Sequence, residues 1–343
     1  MMRCGLLGEK LGHSYSPAIH AQLADYAYGL YEVAPEALPA FLTGGDFDAL
    51  NVTIPYKKAV IPYCAALSPI AQKLGSVNVL VRRADGTLYG DNADAFGFEY
   101  LVRHSGIDVA GQKALVLGNG GASATIQAVL EQLGAHVTVI SRHGPDNYDN
   151  LDRHADAHVI VNTTPVGMYP KENLAPLHYL PHRTEYVFDA IYNPPVTSTM
   201  KLANPRKTKT RDGLFMLVMQ AAHAQTIWTG VTFEPQACEI ILRRTYGKMA
   251  VKRLHEKHGK KNLVLCGFMG SGKTTIGRKL ARLTGLEFID ADIYLEAKEG
   301  KKISEIFAEK GEAYFRDRET AYIKELAQKD GIVLALGGGS VLR

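Results

Sequence analysis

The stretch ALVLGNGGASATIQAVLEQLGAHVTVI, residues 114–140, decides the fold class. An apolar run at 114–117 leads into a glycine-rich turn, a helical pattern fills 123–133, and a second apolar run follows at 136–140. Short β-branched runs that alternate with helical patterns predict parallel βαβ units. A further apolar run at 158–161 extends the pattern. This part of the chain is therefore predicted to be an α/β domain built on a parallel sheet.

The turn in this stretch, residues 118–122, predicts a dinucleotide site. Its glycines let backbone amides approach a pyrophosphate at a helix N-terminus. The spacing departs from GxGxxG, so an ordinary tight turn is the alternative. The next strand ends in Ser141-Arg142-His143, where NAD-binding folds place an acid. A hydroxyl and a cation suit a 2′-phosphate, so NADP is favoured over NAD in a Rossmann-like domain, with an unliganded surface arginine as the alternative for Arg142.

Length and composition indicate a globular protein of more than one domain. A chain of 343 residues is long enough for two or three domains, and its 46% hydrophobic and 22% charged residues are typical of globular proteins. No signal peptide or run of 18 apolar residues is evident, which favours a cytoplasmic enzyme without a membrane partner. A net charge of +4 favours small anionic ligands over nucleic acid. The cysteines lack metal-ligand spacing and are predicted to be buried thiols, without disulfides or zinc: Cys4, Cys64, Cys238 and Cys266.

A second nucleotide motif lies near the C-terminal end. Residues 267–274 read GFMGSGKT after an apolar strand and before a helical pattern, which matches GxxxxGK[ST]. Backbone amides of such a loop hold ATP phosphates, Lys273 would reach the β- and γ-phosphates, and Thr274 would bind Mg²⁺. The predicted ATP-binding residues are Gly267, Gly270, Ser271, Gly272, Lys273, Thr274 and Thr275. A chance glycine loop is the alternative.

Three segments before residue 100 carry polar groups suited to a substrate. Ser14 and Ser16 precede a helical pattern and could hold a carboxylate or cap the helix. Lys57 follows an apolar strand, where a partly desolvated ammonium could act in acid–base chemistry, although a lone lysine is usually solvated. Asp94 lies among small and apolar residues, and helix capping is its alternative role.

These motifs together resemble shikimate dehydrogenase over residues 3–247. The resemblance rests on their order along the chain: Ser14/Ser16, Asn51-Val52-Thr53 with Lys57, Asn78, Asp94 with Gly97-Phe98, residues 118–123, residues 162–168, Asp189-Ala190-Ile191-Tyr192, and Gln220. It implies a two-lobed α/β enzyme, with an α/β substrate lobe and a Rossmann-like NADP lobe. The implied reaction is the reversible NADP-linked reduction of 3-dehydroshikimate to shikimate.

The resemblance also implies residue roles. Lys57 and Asp94 match the catalytic pair, and the serines match residues that hold the shikimate carboxylate. The ring hydroxyls would meet Thr53, Asn78, Asp94 and Gln220, with Tyr192 near substrate and nicotinamide. The implied NADP site comprises Gly118, Asn119, Gly120, Gly121, Ala122, Ser141, Arg142, Thr163, Met168 and Gly213.

The sequence departs from the family at three positions. Ala124 stands where the family often has a basic residue, and Gly144-Pro145-Asp146 follows Arg142 where a second basic residue is common. NADP preference is therefore less fixed than the reaction. Ala93 replaces the usual threonine before Asp94, which we expect to be tolerated.

Residues 262–343 resemble shikimate kinase. In that family, the residue matching Asp290 organises Mg²⁺ together with the one matching Thr274. The implied shikimate-binding residues are Asp292, Arg316, Gly337, Gly338 and Gly339. The family continues for about another half-domain past the position of Arg343, so we expect a partial P-loop α/β domain with weak or no kinase activity, in a possible fragment of a longer fusion.

The expected organisation has five parts. Residues 1–98 form the substrate lobe, 99–220 the NADP lobe, 221–247 helices that return to the substrate lobe, 248–261 a linker or continued helix end, and 262–343 the partial kinase. Two other functions stay open, a catalytically silent binding module with a regulatory role and an active bifunctional dehydrogenase–kinase. The sequence does not decide the oligomeric state, or between shikimate and quinate.

Overall fold

The computed structural model describes residues 1–12, 14–259 and 262–340. It divides into two compact units, Met1–Leu242 and Arg243–Arg343. Outside the described residues lie His13 of the predicted serine segment, Lys260 and Lys261 of the predicted linker, and residues 341–343 of the predicted kinase domain.

The first lobe of unit 1 is built on a mixed six-stranded sheet. Its elements are β1 (Arg3–Gly8), α1 (Ser16–Leu23), β2 (Ala27–Glu32), α2 (Leu38–Gly44), β3 (Ala49–Val52), β4 (Cys64–Leu67), α3 (Pro69–Leu74), β5 (Val79–Arg82) and β6 (Leu88–Asp91). The strand order is β2-β1-β3-β5-β6-β4. Strands β1, β2 and β3 are parallel, and β5 is antiparallel to both β3 and β6.

These strand directions bring several chain segments to one edge of the sheet. The segments that follow β1 and β3 leave at the carboxyl ends of parallel strands. Because β5 is antiparallel to both neighbours, its start pairs with the end of β3 through Asn51 and with the end of β6 through Asp91. The residues just before β5 and just after β6 therefore lie at that same edge.

The second lobe carries a five-stranded parallel sheet with helices on its faces. Its elements are α4 (Ala93–His104), β7 (Lys113–Leu117), α5 (Gly121–Gln132), β8 (His136–Ile140), β9 (Val159–Asn162), β10 (Tyr186–Asp189), α6 (Ser198–Lys201), β11 (Lys209–Arg211) and α7 (Leu214–Thr229). The order is β11-β10-β9-β7-β8 with every pair parallel. The predicted Rossmann-like fold is confirmed.

The central strand β7 shows why this sheet forms. Ala114 and Val116 belong to one apolar core, and Leu115 and Leu117 belong to the core on the opposite face. All four are fully buried, as expected for a parallel strand covered on both sides. Burying each leucine or valine contributes about 1.5–3 kcal/mol, so this strand fixes the layer order.

The two helices predicted within residues 221–247 extend beyond both of those limits, to 214 at the start and to 258 at the end. Helix α7 begins at Leu214, and its Ala224 and Trp228 pack in a core with Cys4 of the first lobe. Helix α8 (Pro235–His258) contributes Cys238 to the main core and continues through residues 248–258, so the segment proposed as a linker or helix end is helical up to His258.

Unit 2 contains a small three-stranded parallel sheet. Its elements after α8 are β12 (Leu263–Leu265), α9 (Lys273–Thr284), β13 (Glu287–Asp290), α10 (Ala291–Glu299), α11 (Ile303–Leu326), which kinks at Gly311, and β14 (Ile332–Ala335). The order is β12-β14-β13. Cys266 is exposed, and the prediction that it is buried is wrong, because it follows an edge strand.

No helix among the described residues is both long enough and apolar enough to span a membrane.

Candidate functional site

An ion pair lies at the edge of the first sheet. Lys57 is in the turns after β3, and Asp94 is in the first turn of α4. Lys57 Nζ donates to Asp94 Oδ2 at 2.5 Å, and the two side chains are 25% and 18% exposed. Partial burial strengthens their attraction relative to open solvent, while both groups stay within reach of a small ligand. The pair can therefore exchange a proton with a molecule bound at this edge.

Helix α4 is capped by Asn92, which leaves Asp94 available. Asn92 Oδ1 accepts hydrogen bonds from the backbone N–H groups of Asp94 at 3.1 Å and Ala95 at 3.3 Å. These bonds satisfy the helix start as a capping side chain does. Asp94 is thus not the capping side chain, and its carboxylate is directed at Lys57 instead.

The two serines begin α1 at the same edge. Ser16 is the first residue of the helix and is buried, whereas Ser14 is half-buried. Ser14 Oγ accepts from the backbone N–H of Ser16 at 3.1 Å, so this hydroxyl supports the helix start. A hydroxyl also has a hydrogen to donate. Helix support and carboxylate binding are therefore compatible roles for Ser14.

The sheet edge also holds two more of the predicted substrate residues. Thr53 follows β3, and its N–H donates to Leu7 O at 2.9 Å. Asn78 is buried just before β5, and its Oδ1 accepts from the N–H of Ala93 at 2.7 Å. Asn78 therefore ties β5 to the start of α4, next to Asp94.

Gln220 reaches this region because α7 packs closely on α4. A Cβ at Gly97 would lie 2.6 Å from Met216 O and 3.1 Å from Gln220 Cβ, so only glycine allows this approach. Residues 94 and 97 are three apart and share a face of α4. Gln220 is buried, and its Nε2 donates to Leu217 O at 3.0 Å. The tight helix pair thus brings Gln220 to the Asp94 face.

Tyr192 connects the second lobe to the serine segment. Its ring meets the ring of Tyr15 edge to face, with 6.1 Å between centroids. Burial, and then the neighbouring Tyr15, raises the pKa of Tyr192 above its ordinary value, so its hydroxyl stays protonated at neutral pH.

A cavity of about 560 Å³ opens at the carboxyl edge of the second sheet. It brings together six predicted cofactor residues, namely Gly118, Asn119, Gly120, Ser141, Arg142 and Thr163. Gly118 has a φ of +100°, and a Cβ there would lie 2.9 Å from Thr164 Cγ2. Close approach of the turn to the end of β9 therefore requires glycine, and it shapes the cavity floor.

The other four predicted cofactor residues do not line this cavity. Gly121 and Ala122 are exposed at the start of α5, and Met168 is 48% exposed. Gly213 precedes α7, where a Cβ would lie 2.2 Å from Ala190 O. Gly213 thus permits a close contact with the segment that carries Tyr192.

Sequence reasoning missed six residues that line the cavity. They form the far wall and are Tyr148, Thr164, Pro165, Val166, Ala175 and Pro176. Thr164, Pro165 and Val166 lie within the motif at residues 162–168, so the predicted cofactor residue Thr163 beside them was a usable signal. Tyr148, Ala175 and Pro176 come from connecting segments whose paths the sequence pattern does not specify.

The phosphate loop of unit 2 has the predicted strand–loop–helix form. Gly272 precedes α9 with a φ of +84°, and Lys273 is the first helical residue. Lys273 Nζ donates to two carbonyls of its own loop, Gly267 O at 2.7 Å and Phe268 O at 2.9 Å. Thr274 Oγ1 donates to Asp290 Oδ2 at 2.7 Å. The two residues predicted to bind Mg²⁺ are therefore adjacent, and oxygen ligands of this kind suit that ion.

The predicted shikimate residues of unit 2 also meet. A Cβ at Gly337 would lie 2.7 Å from Asp292 Oδ1, one at Gly338 would lie 3.0 Å from Met269 N, and one at Gly339 would lie 2.7 Å from Arg316. Burial, with the charges of Asp290 and Glu319, raises the pKa of Asp292. The glycine segment thus joins the phosphate loop to these charged groups.

Glu319 was missed by sequence reasoning. It is buried, accepts from Arg316 at 2.9 Å, and accepts from Ser340 Oγ at 2.5 Å. The three-residue spacing from Arg316 within one helix was a usable signal. Among the described residues, no group of three or more metal-ligating side chains is assembled.

Two sequence-family models match the chain. The substrate binding domain of shikimate dehydrogenase matches residues 6–80, and shikimate kinase matches residues 269–343. The shikimate dehydrogenase (NADP(+)) of Clostridium perfringens is 34% identical over 264 residues, which covers 69% of this chain and 96% of that relative. The corresponding protein of Moorella thermoacetica is 32% identical over 274 residues, covering 71% and 92%.

The chain is also similar to solved structures of shikimate dehydrogenases. A chorismate mutase/shikimate 5-dehydrogenase fusion from Clostridium acetobutylicum aligns with a TM-score of 0.68 at 33% identity, over 73% of this chain and 98% of the other. The shikimate 5-dehydrogenase of Thermus thermophilus, solved with NADP(H) and shikimate, aligns with a TM-score of 0.65 at 32% identity, over 71% and 100%. The Listeria monocytogenes enzyme, solved with shikimate and NAD, aligns at 0.63 and 25% identity, over 70% and 96%.

Proposed function

The chain belongs to the shikimate dehydrogenase family, and on that premise we propose that unit 1 catalyses the reversible reduction of 3-dehydroshikimate to shikimate with Lys57 and Asp94 as its acid–base pair. The observation that carries this proposal is their ion pair of 2.5 Å at the sheet edge. Lys57 follows β3 and Asp94 begins α4 at that edge, and six of the predicted cofactor residues line the cavity of the second lobe. The roles assigned below to single residues are part of the proposal.

The cavity of the second lobe fits a dinucleotide. Gly118 leaves room beside Thr164 for a backbone turn, and Ser141 and Arg142 lie on the rim at the end of the next strand. A hydroxyl and a guanidinium there would bind a 2′-phosphate. When bound, NADP supplies or accepts the hydride that the reaction requires.

Lys57 and Asp94 would manage the proton of the reaction. Reduction of a ketone leaves an alkoxide oxygen, which needs a proton. The Lys57 ammonium would donate that proton from Nζ, and its positive charge would stabilise the developing negative charge. Asp94 would keep the ammonium oriented. In the oxidative direction, Nζ would take the proton from the substrate hydroxyl.

The same edge would recognise the substrate. Ser14 and Ser16 would donate to a carboxylate, while Thr53, Asn78 and Gln220 would offer polar groups to ring hydroxyls. Retention of both serines and of Thr53 favours shikimate over quinate. We expect quinate to be the poorer substrate.

Deuterium transfer tests this proposal directly. The full chain is incubated with 3-dehydroshikimate and NADPH deuterated at C4 of the nicotinamide, and the product is analysed by mass spectrometry. We expect singly deuterated shikimate from one of the two C4 stereoisomers. A folded chain that binds both ligands but transfers no deuterium would refute the dehydrogenase and support the silent binding module.

A second function is favoured by the geometry of unit 2. We propose that its phosphate loop binds ATP with Mg²⁺, held by Lys273 and by the adjacent Thr274 and Asp290. Shikimate would bind at Asp292, Arg316 and the glycine segment 337–339. The sequence-based expectation of weak or no kinase activity stays a prediction. Titration of a fluorescent ATP analogue, followed by an assay of ATP-dependent shikimate phosphorylation, tests binding and turnover separately, and rapid phosphorylation would contradict that expectation.

A further inference from the structure

Asp189 is a buried carboxylate that the acid–base pair does not use. It is the last residue of β10 and is 1% exposed. It lies beside Asn162, the last residue of β9, which is fully buried. Burial raises the pKa of Asp189 to about 6, although three hydrogen-bond donors surround it. Burial of a carboxylate costs free energy unless hydrogen bonds compensate, so the contacts of Asp189 indicate why it is buried here.

Those contacts tie both ends of one loop to a single side chain. Asp189 Oδ1 accepts from the backbone N–H of Ile191 at 3.0 Å, and Oδ2 accepts from Thr197 Oγ1 at 2.7 Å. Ile191 and Thr197 bracket the segment 191–197, which carries Tyr192. The carboxylate therefore closes this loop across its base.

The other contact of Asp189 leads to the dinucleotide cavity. Asn162 Nδ2 donates to Asp189 Oδ1 at 3.0 Å. Asn162 Oδ1 accepts from the N–H of Thr164 at 3.0 Å and from its hydroxyl at 2.7 Å. Thr164 lines the cavity. An unbroken set of hydrogen bonds thus joins the cavity wall to the base of the Tyr192 loop.

The far end of the loop touches the substrate side. Tyr192 meets the ring of Tyr15, which lies between Ser14 and Ser16. The loop is also held at its start, because the N–H of Gly213 donates to Ile191 O at 3.1 Å. Movement of this loop would change the position of Tyr192 relative to both the cavity and the serines.

We propose that Asp189 is a positioning residue, which fixes the Tyr192 loop against the end of β9 so that the bound dinucleotide and the substrate meet in reactive geometry. This inference rests on the proposed dehydrogenase function. A displacement of about 1 Å between reacting groups can cost on the order of 100-fold in rate. Asp189 acts through Asn162 and Ile191 and touches neither reactant.

The hydrogen-bond pattern predicts which replacement preserves this role. In Asp189→Asn, Oδ1 can still accept from Asn162 and Ile191, and the new amide can donate to Thr197 Oγ1, since a hydroxyl both donates and accepts. In Asp189→Ala, all three contacts are lost. The asparagine variant should therefore restore what the alanine variant loses.

The experiment compares Asp189→Ala, Asp189→Asn and Ser105→Ala in the full chain. Ser105 supplies a matched control, because it is buried in the same unit, bonds to Leu101 O at 2.7 Å, and lies at the end of α4 opposite Asp94. For each variant, kcat and KM for shikimate oxidation, Kd for NADP⁺, and hydrogen exchange of the peptide that spans 190–197 are measured below its melting temperature.

We expect Asp189→Ala to lower kcat by roughly 10- to 100-fold, with Kd for NADP⁺ within about threefold of wild type. Exchange of the 190–197 peptide should be at least about tenfold faster. Asp189→Asn should restore both values to within about fivefold, and Ser105→Ala should leave them unchanged.

Three outcomes would overturn the inference. They are an unchanged kcat in Asp189→Ala, equal losses in the alanine and asparagine variants, and a parallel loss of kcat and NADP⁺ binding that the control shares. An inactive wild-type chain would refute the proposed function instead. The exchange measurement still tests the loop contacts in that case, because unaltered exchange in Asp189→Ala would overturn the inference without any activity.

Discussion

The two units place a lysine in very different surroundings. In unit 1, Lys57 pairs with Asp94 at a sheet edge where several of the predicted substrate residues lie. In unit 2, Lys273 donates to two carbonyls of its own loop. On the proposed functions, Lys57 already lies beside its partner, whereas Lys273 would have to give up its loop contacts to reach phosphates.

The surrounding structure differs in the same direction. Unit 1 contains sheets of six and five strands with large buried cores. The phosphate loop of unit 2 follows an edge strand of a three-stranded sheet, and Phe268 and Met269 are 84% and 92% exposed. Preorganised groups carry most of an enzyme's electrostatic advantage. We therefore expect the larger mutational effects on catalysis in unit 1.

Replacement of Lys57 should give the largest effect. Loss of a positioned general acid–base group costs roughly 10²- to 10⁴-fold, so Lys57→Ala should lower kcat for shikimate oxidation by that factor. The measurement is the steady-state rate at saturating shikimate and NADP⁺. Lys58→Ala is the matched control, since Lys58 is the exposed neighbour and should stay within about twofold of wild type. Equal losses of kcat in Lys57→Ala and Lys58→Ala would contradict a specific acid–base role for Lys57.

The pH dependence of stability tests whether the buried Asp189 carboxyl contributes to the stability of unit 1. The pKa of this carboxyl is raised to about 6 by burial. A raised acid pKa means that its contribution to stability is full below about pH 4 and is lost as the pH rises through 6. The free energy of unfolding of wild type, relative to Asp189→Asn, should fall by roughly 2 kcal/mol between pH 4 and pH 7.

Urea denaturation followed by tryptophan fluorescence measures this difference. The chain has one tryptophan, Trp228, and it is buried in unit 1, so the signal reports that unit. A difference in unfolding free energy that does not change with pH would show that Asp189 is not the group that titrates.

Replacement of Lys273 tests the phosphate loop. A hydrogen bond to a charged group contributes about 1.5–3 kcal/mol, so Lys273→Ala should weaken binding of an ATP analogue by roughly 10- to 100-fold. Oxidation of shikimate with NADP⁺ should be unaffected. Lys279→Ala, an exposed change in the same helix, should bind the analogue as wild type does. Undiminished binding in Lys273→Ala would place the nucleotide elsewhere.

Replacement of Arg142 gives the smallest expected effect, because this residue is exposed at the cavity rim. Arg142→Ala should raise KM for NADP⁺ about tenfold and leave KM for NAD⁺ within about twofold. Arg153→Ala, another exposed arginine of the same lobe, serves as control. Equal changes for both dinucleotides would show that Arg142 does not read the 2′-phosphate.

Local pattern was enough to predict much of the fold. The strand–turn–helix run at 114–140 predicted β7, α5 and β8, and the loop at 267–274 predicted the start of α9. These elements combine local periodicity with turn residues, which the sequence displays directly. The start of α7 at Leu214 was harder, because ten of its sixteen residues are buried and no polar face marks its beginning.

The contacts that complete the site were not visible in the sequence. That Asn92, rather than Asp94, caps α4 depends on the exact backbone at the helix start. The far wall of the cavity, including Tyr148 and Pro176, depends on paths of connecting segments. The contact of Tyr192 with Tyr15 joins residues 177 positions apart by number, which only the tertiary structure brings together.

The most direct test of the central claim is the initial rate of shikimate oxidation by the unaltered chain, followed at the NADPH absorbance band with NADP⁺ and NAD⁺ in parallel. We predict a rate that saturates with shikimate and is faster with NADP⁺. No rate with either dinucleotide, from folded chain shown to bind both ligands, would contradict the account and leave a silent binding module.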